Sequence, residues 1–308
     1  MNYKDSGVDI DAANEFVEKI KERVPTIGGF SGMMRVPEGY DKPILVSGAD
    51  GVGTKLNIAR ILNNHKTIGV DLVAMCVNDV ITSGAKPLYF LDYIATGKIN
   101  QDILGDVLDG ILLGCLKSEM ELLGGETAEM PRIYNGDDYD LAGFCTGVVE
   151  EFDVVDGKNI REGDKIIGIA SSGLHSNGYS LINKLIFHQA LFVADTPELI
   201  TPTRIYAPTI KILLDEVPVL GMAHITGGGL PENLPRCLPW GLNADVDYDS
   251  WEVPRIFGKI QKAGNVSDEE MRNVFNMGVG YCVIVPEHSV DDTLNLIDLD
   301  AWVIGTVR

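Results

Sequence analysis

The chain has 308 residues, 45% of them hydrophobic, and a formal net charge of −20. That length buries a sizeable core and suits two domains, while the acidity excludes the phosphate backbone of a nucleic acid as a partner. No stretch approaches about 18 uninterrupted apolar residues, and the polar, acidic opening at 1–11 does not read as a secretory signal, so a soluble cytoplasmic protein with no membrane partner is expected.

The N-terminal half alternates strand and helix signals. A short apolar run at 44–50 predicts a strand that ends in Gly48-Ala49-Asp50-Gly51, and 54–63 carries helical periodicity. A longer helix is predicted at 70–85, a buried strand at 88–95, and another long helix at 103–123 that Gly124-Gly125 breaks. A strand at 141–149 closes this half, and the Asp156-Gly157 turn marks the expected domain boundary. Beyond it come a strand at 165–170, a Ser/Gly loop and helices at 179–189 and 204–215. A strand at 222–226 then leads to a triple-glycine loop and a helix that Pro231 is placed to start. A helix at 253–263 and strands at 279–285 and 302–307 complete the pattern. The mixture predicts an α+β fold of two mixed α/β domains, 1–155 and 156–308. Cys76, Cys115, Cys145, Cys237 and Cys282 are scattered through apolar runs and read as buried free thiols without zinc spacing.

In so acidic a chain, a phosphate-bearing ligand must be small and held locally by glycine amides, lysines and Mg²⁺. Asp50-Gly51-Val52-Gly53-Thr54-Lys55 joins a strand to a helix through glycines, which turns backbone N–H groups toward an anion. It lacks the Gly-Lys-Ser/Thr ending of a Walker A loop and does not extend to a dinucleotide fingerprint. A tight turn and a nucleotide loop both stay open, with Asp50 suited to Mg²⁺ and Lys55 to phosphate oxygens. On the helix at 70–85, Asp71, Asn78, Asp79 and Thr82 share one face, either as a solvated stripe or as metal contacts. The run from Gly124 to Glu129 reads as a helix C-cap and turn, or places Glu126 as a metal or nucleotide contact.

The loop Ser171-Ser172-Gly173-Leu174-His175-Ser176-Asn177-Gly178 connects a strand to a helix N-terminus. Its amides and hydroxyls suit an anion, and His175 suits proton transfer or an ionic contact as well as a purely structural place. Gly227, Gly228 and Gly229 repeat the strand, glycine, helix arrangement as a close-approach loop or a linker. The opening Tyr3-Lys4-Asp5-Ser6-Gly7-Val8-Asp9 reads as a tail or as a flap over a ligand.

Taken together, the wording and order of these runs closely resemble the aminoimidazole ribonucleotide synthetase family, the cyclo-ligases of purine biosynthesis, over nearly the whole chain. The resemblance is carried by 3–9, 50–55, 69–79, 125–131, 175–180, 202–206 and 226–229, with Pro202-Thr203-Arg204-Ile205-Tyr206 and Gly125-Glu126-Thr127-Ala128-Glu129-Met130-Pro131 among them. The segment Asp79-x-x-x-x-Gly84-Ala85-x-Pro87 is similar to the signature of the wider superfamily. The resemblance implies a homodimer built through N-terminal β-sheets, clefts between domains as active sites, ATP and Mg²⁺ as cofactors, and formylglycinamidine ribonucleotide as substrate. On this footing Asp50, Asp79, Asp71 and Glu126 are the implied metal ligands, and Gly51, Gly53, Lys55, Asn78 and Thr127 further nucleotide contacts. Lys4, Asp50, Asp79 and His175 are the implied catalytic residues, while Ser176, Asn177, Gly227, Gly228 and Gly229 bind the substrate. The rival readings are a superfamily relative with another acceptor and a catalytically silent nucleotide-binding dimer. The stretches before Gly28-Gly29 and between Gln189 and Thr201 look shorter than the family pattern.

Overall fold

The computed structural model describes residues 7–308, so Lys4 and the rest of 1–6 lie outside it. Helix α1 (Ile10–Arg23) opens on Asp9, whose carboxylate caps the Ala12 amide and whose own amide donates to Glu129 at 2.6 Å. The end of the 3–9 run therefore anchors a helix.

The first sheet holds β1 (Pro43–Gly51), β2 (Lys86–Thr96), β3 (Glu121–Glu129) and β4 (Tyr139–Glu150) in the order β1-β4-β2-β3. The β2–β3 pair is parallel, joined by a crossover through α4 (Gln101–Lys117), and the other pairs are antiparallel. After β1, a 3₁₀ turn at Gly53–Lys55 runs into α2 (Leu56–Leu62), then α3 (Lys66–Val80). Helices α3 and α4 cross in near backbone contact: a Cβ on Gly69 would collide with the Val107 carbonyl, and one on Gly110 with the Lys66 carbonyl.

The long helix expected at 103–123 is corrected by this arrangement. It stops at Lys117, and the chain turns through left-handed Glu119 (φ +53°) into β3. Leu122 and Leu123 extend the apolar run, and periodicity alone does not separate a buried strand from a helix end. Glu126 and Thr127 thus lie in an edge strand and not after a helix cap. The helix expected to reach residue 85 likewise ends at Val80, with a 3₁₀ turn at Ile81–Ser83.

The second sheet, β6-β8-β5-β9-β7, is antiparallel throughout, with β5 (Lys165–Ala170), β6 (Gly221–His224), β7 (Ala244–Val246), β8 (Val279–Val285) and β9 (Ala301–Val307). Its helices are α5 (Tyr179–Phe187), α6 (Ala207–Glu216), α7 (Gly229–Asn233), α8 (Arg255–Gly264), α9 (Asp268–Val274) and α10 (Val290–Leu296). Gly229 starts α7, with Pro231 inside its first turn. Strand β8 is buried along its whole length, and its residues alternate between two cores. Tyr281, Val283 and Val285 join the cluster containing Leu72, Val73 and Val77 of α3, while Cys282 and Ile284 face a second cluster with Leu230 and Leu234. One continuous apolar core therefore crosses from the first sheet through α3 to the second. All five cysteines are free, with Cys237 only half-buried, and no helix among the described residues is long and apolar enough to cross a membrane.

Candidate active site

The end of β1 lies against the end of α3, which brings Asp50 and Asp79 into electrostatic contact. Asp50 is half-buried and accepts the Gly51 amide at 2.7 Å; burial first, then the neighbouring Asp79 charge, raises its pKa. Asp79 is half-exposed at the helix end, and its carboxylate holds His224 Nδ1 at 2.8 Å. Two close carboxylates with hard oxygen donors fit a divalent cation, which relieves the repulsion seen at Asp50.

The remaining members of the expected metal set are elsewhere. Asp71 is fully buried, and its Oδ1 accepts from Lys55 Nζ at 2.9 Å, Thr203 N and Oγ1 at 2.7 Å each, and Ser176 Oγ at 3.2 Å. Lys55, also fully buried, uses its other protons on the carbonyls of His175 (3.0 Å) and Thr201 (2.6 Å). Burial lowers the Lys55 pKa, and the Asp71 charge and hydrogen bond oppose that shift. Asn78 donates to the Arg204 carbonyl at 2.7 Å and accepts the Tyr206 amide at 3.0 Å. The polar stripe of α3 is therefore mostly neither a solvated face nor a metal site. Asp71 and Asn78 fasten the 201–206 strap to the first sheet's helix, and Lys55 has no proton left for phosphate.

Strands β5 and β6 both run antiparallel to β8, so their following loops emerge at the same end of the sheet. This brings the His175 loop to the triple glycine: Asn177 Oδ1 lies beside Gly227, and buried Asn233 donates to the Gly227 and Gly229 carbonyls at 3.2 and 2.8 Å. His175 sits in the left-handed region (φ +60°) and is 1% exposed. Its Nε2 accepts the Ser172 amide at 3.2 Å, so the proton of the neutral ring is on Nδ1, which is buried without a partner among the described residues. Burial, reinforced by His224, Lys55 and Arg204, holds its pKa well below 6.5. An ionic contact through a charged His175 is thus corrected to a neutral N–H donor.

His224 and Arg204 belong beside these residues, although the sequence pattern did not single them out. His224 occupies an apolar strand and Arg204 entered only as part of a longer run; neither position carries a local spacing signal. His224 stacks on Tyr281 at 6.3 Å, and His224 Nε2 and Arg204 Nε are buried without partners among the described residues. His224 also lines a cavity of about 260 Å³ together with Asp79, Ser83, Asn233 and Arg236 among others.

Glu126 and Thr127 stand at the opposite edge of the first sheet. The register row Asp50, Gly143, Asp92, Gly125 crosses all four strands, so Asp50 and Gly125 are separated by three strand spacings, about 14 Å. The next row, Gly51, Ala142, Tyr93, Glu126, places Glu126 on the other face of the sheet from Asp50. Among the described residues no group of three or more His, Cys, Asp or Glu side chains gathers for a metal, so the expected four-carboxylate set is not assembled within one chain.

Family models describing the AIR synthase related protein match this chain, its N-terminal domain at residues 31–149 and its C-terminal domain at 161–308. Phosphoribosylformylglycinamidine cyclo-ligases of Gloeothece citriformis and Prochlorococcus marinus are 51% and 50% identical to it, covering 100% of this chain and 96% of each relative. Those alignments run over 330 positions, so the relatives carry residues that this shorter chain skips. Among solved structures, the hydrogenase maturation protein HypE of E. coli superposes with a TM-score of 0.71 at 16% identity, over 96% of this chain and 90% of its own, a likeness of fold. The chain belongs to the phosphoribosylformylglycinamidine cyclo-ligase family.

Proposed function

We propose that this protein closes the imidazole ring of aminoimidazole ribonucleotide from formylglycinamidine ribonucleotide, converting ATP to ADP and phosphate. The observation that carries the reading is that His224 binds Asp79 and lies within electrostatic reach of both Asp50 and His175, while Asn177 of the His175 loop lies beside Gly227 of the triple glycine, in a chain half identical to named cyclo-ligases. The formamide oxygen is a poor leaving group, and accepting the γ-phosphoryl group of ATP makes it a good one. The amidine nitrogen of the same molecule then attacks the formyl carbon and phosphate departs, an intramolecular step favoured by proximity.

The protein's part is positioning and electrostatics. Asp50 and Asp79 are the residues that would hold Mg²⁺, which supplies charge neutralisation on the ATP phosphates. His175 Nδ1–H donates to an oxygen of the substrate, and the amides of Gly227, Gly228 and Gly229 with Ser176 and Asn177 receive the ribonucleotide end. Lys4 is assigned to phosphate charge on family resemblance. HypE, which shares the fold, is known in complex with ATP.

The working unit in this reading is a cytoplasmic homodimer. Leu45 and Phe144 are about half-exposed on the first sheet, and Tyr89, Leu91 and Tyr93 flank Phe144 across the same groove. A two-fold axis along the strands would set β3 of one copy over β1 of the other, so that Glu126 serves the nucleotide of its partner. In this scheme residues 1–155 form the nucleotide and dimer domain, and 156–308 the substrate domain.

Phosphate release from ATP and Mg²⁺, with and without formylglycinamidine ribonucleotide, tests the function when the aminoimidazole product is followed in parallel. Substrate-dependent phosphate matched by product is expected. ATP binding without such turnover would sink the reading in favour of a silent dimer or another acceptor.

A further inference from the structure

Among the described residues, five buried side-chain nitrogen or oxygen atoms lack a hydrogen-bond partner, and three of the five belong to His175, His224 and Arg204. These side chains share one neighbourhood, because His224 and Arg204 both help to hold down the His175 pKa. His224 ties the group to Asp79 through its 2.8 Å hydrogen bond. Buried polar atoms without partners are costly, and their concentration in one place marks a spot where a ligand supplies the missing bonds.

Arg204 is the member of this group with no role so far. Its backbone is fixed: its carbonyl accepts Asn78 Nδ2 at 2.7 Å, and the amides of Thr203 and Tyr206 on either side are held by Asp71 and Asn78. Its guanidinium makes no hydrogen bond or ion pair among the described residues. In a chain with 45 Asp and Glu against 25 Lys and Arg, an arginine without a carboxylate is kept for an anion that arrives. The second cation that acts on His175 is Lys55, which spends its protons on Asp71 and two carbonyls.

The floor between the two imidazoles is aromatic. Ring centroids run from His175 to Tyr206 at 6.1 Å, on to Tyr281 at 5.1 Å and to His224 at 6.3 Å. Both tyrosine hydroxyls are occupied, by the Ala170 carbonyl and the Met222 sulfur. An oxyanion over this floor therefore takes its donors from His175 Nδ1–H and Arg204, in apolar surroundings that strengthen each bond.

We propose that Arg204 is a catalytic residue whose Nε–H donates to the phosphoryl group in transit from ATP, beside the substrate oxygen that His175 Nδ1–H holds. The inference rests on the cyclo-ligase reading and adds a residue to it. In this step the bond from the γ-phosphorus to the ADP oxygen breaks and its electron pair stays on ADP, while the formamide oxygen forms the new bond. Arg204 and His175 keep their protons throughout. The substrate's ribose phosphate offers the same oxygen chemistry, but the His224–Asp79 bond places the group next to the carboxylates assigned to the ATP phosphates.

Arg204→Lys keeps the charge and the backbone contacts but loses the Nε–H. Its kcat should fall about a hundred-fold, with ATP binding and the KM for formylglycinamidine ribonucleotide within about three-fold. A ribonucleotide KM raised about ten-fold at nearly constant kcat would move Arg204 to the ribose phosphate and overturn the proposal, as would unchanged kinetics. Heteronuclear NMR of the wild-type Arg204 Nε–H keeps the test open where the variant misfolds. ADP, Mg²⁺ and aluminium fluoride, a mimic of the transferring phosphoryl group, should move that proton downfield and slow its exchange, with or without the ribonucleotide, while ADP and Mg²⁺ alone should not. No selective response would overturn the assignment. A responsive Arg204 in a protein without substrate-dependent turnover would support the site while removing the cyclo-ligase reading, and turnover with an unresponsive Arg204 would do the reverse.

Discussion

The ammonium group of Lys55 lies 3.0 Å from the carbonyl oxygen of His175, with both residues essentially sealed from solvent. That bond holds a non-glycine residue in the left-handed region, a conformation that costs about 1–3 kcal/mol and persists only when its surroundings over-determine it. The same ammonium is neutralised by Asp71 at 2.9 Å. Lys55→Met would strand a buried carboxylate and should cost about 3–5 kcal/mol of stability. Adding Asp71→Leu should recover only part of the melting temperature, because Thr203 N, Thr203 Oγ1 and Ser176 Oγ lose their acceptor, and little of the turnover, because the His175 carbonyl still lacks its donor. Recovery of kcat alongside stability would show Lys55 to be a core residue without a positioning role.

Asp79→Asn should abolish substrate-dependent phosphate release, with kcat down by about a hundred-fold or more, while the fold is retained. The side chain is half-exposed at a helix end, and an amide oxygen can still accept His224 Nδ1. Circular dichroism and a thermal melt beside the phosphate assay decide the matter. A variant that unfolds would assign Asp79 to structure.

His175→Ala should lower kcat/KM for the ribonucleotide by about a hundred-fold. The ring is held neutral, so its titration should leave no inflection in the pH–rate profile between pH 6.5 and 9. Its stability linkage has the opposite visibility. With the folded pKa depressed, the unfolded chain takes up a proton first, so stability is full above about pH 6.5 and is lost as pH falls below it. The alanine variant should lose less stability between pH 7 and 5 than wild type in urea melts at each pH.

Burial pushes the Asp92 carboxyl up to about 7, far above the 3.8 of an unhindered aspartate. A raised folded pKa means that the native state binds the extra proton between these values, so this residue subtracts stability as pH climbs from 4 to 7. Asp92→Asn should therefore melt higher than wild type at pH 8, by an amount on the order of a few kcal/mol at most, with the difference fading near pH 4. Thermal melts of the nucleotide-free proteins across that range test this.

Phe144→Asp should give a monomer by sedimentation with the monomer's melting curve otherwise preserved, since this side chain is 45% exposed on the sheet's outer face. A monomer that keeps full turnover would remove the need for a second copy at the active site.

The strands β5 and β8 and the helix start at Tyr179 were legible because clean apolar runs meet glycine-rich boundaries there. The β3 strand was not, since its first residues continue the apolar period of α4 and its partner β2 is far away in sequence. Helices α9 and α10 are seven residues each, too short to show a period. At the site, the loops around Asp50 and His175 announced themselves through glycines and serines. The roles of Asp71 and Asn78 did not, because sequence spacing places them on a helix face without saying that another domain's backbone will cover that face. His224 is recognisable only once β6 lies beside the end of α3.

The core that runs from Leu72 through α3 to Tyr281 sets a limit on how the chain can be divided. The connection at 151–164 looks like a place to cut, and family models match the two sides separately. Severed there, each piece would present to water the apolar flank it now shares with the other, and the buried Asp71 would lose Thr203 and Ser176 together. A nick in that connection should leave two fragments that co-migrate and melt in a single transition, and either fragment made alone should aggregate. The two modules inherit separate sequence signatures but a common fate on heating.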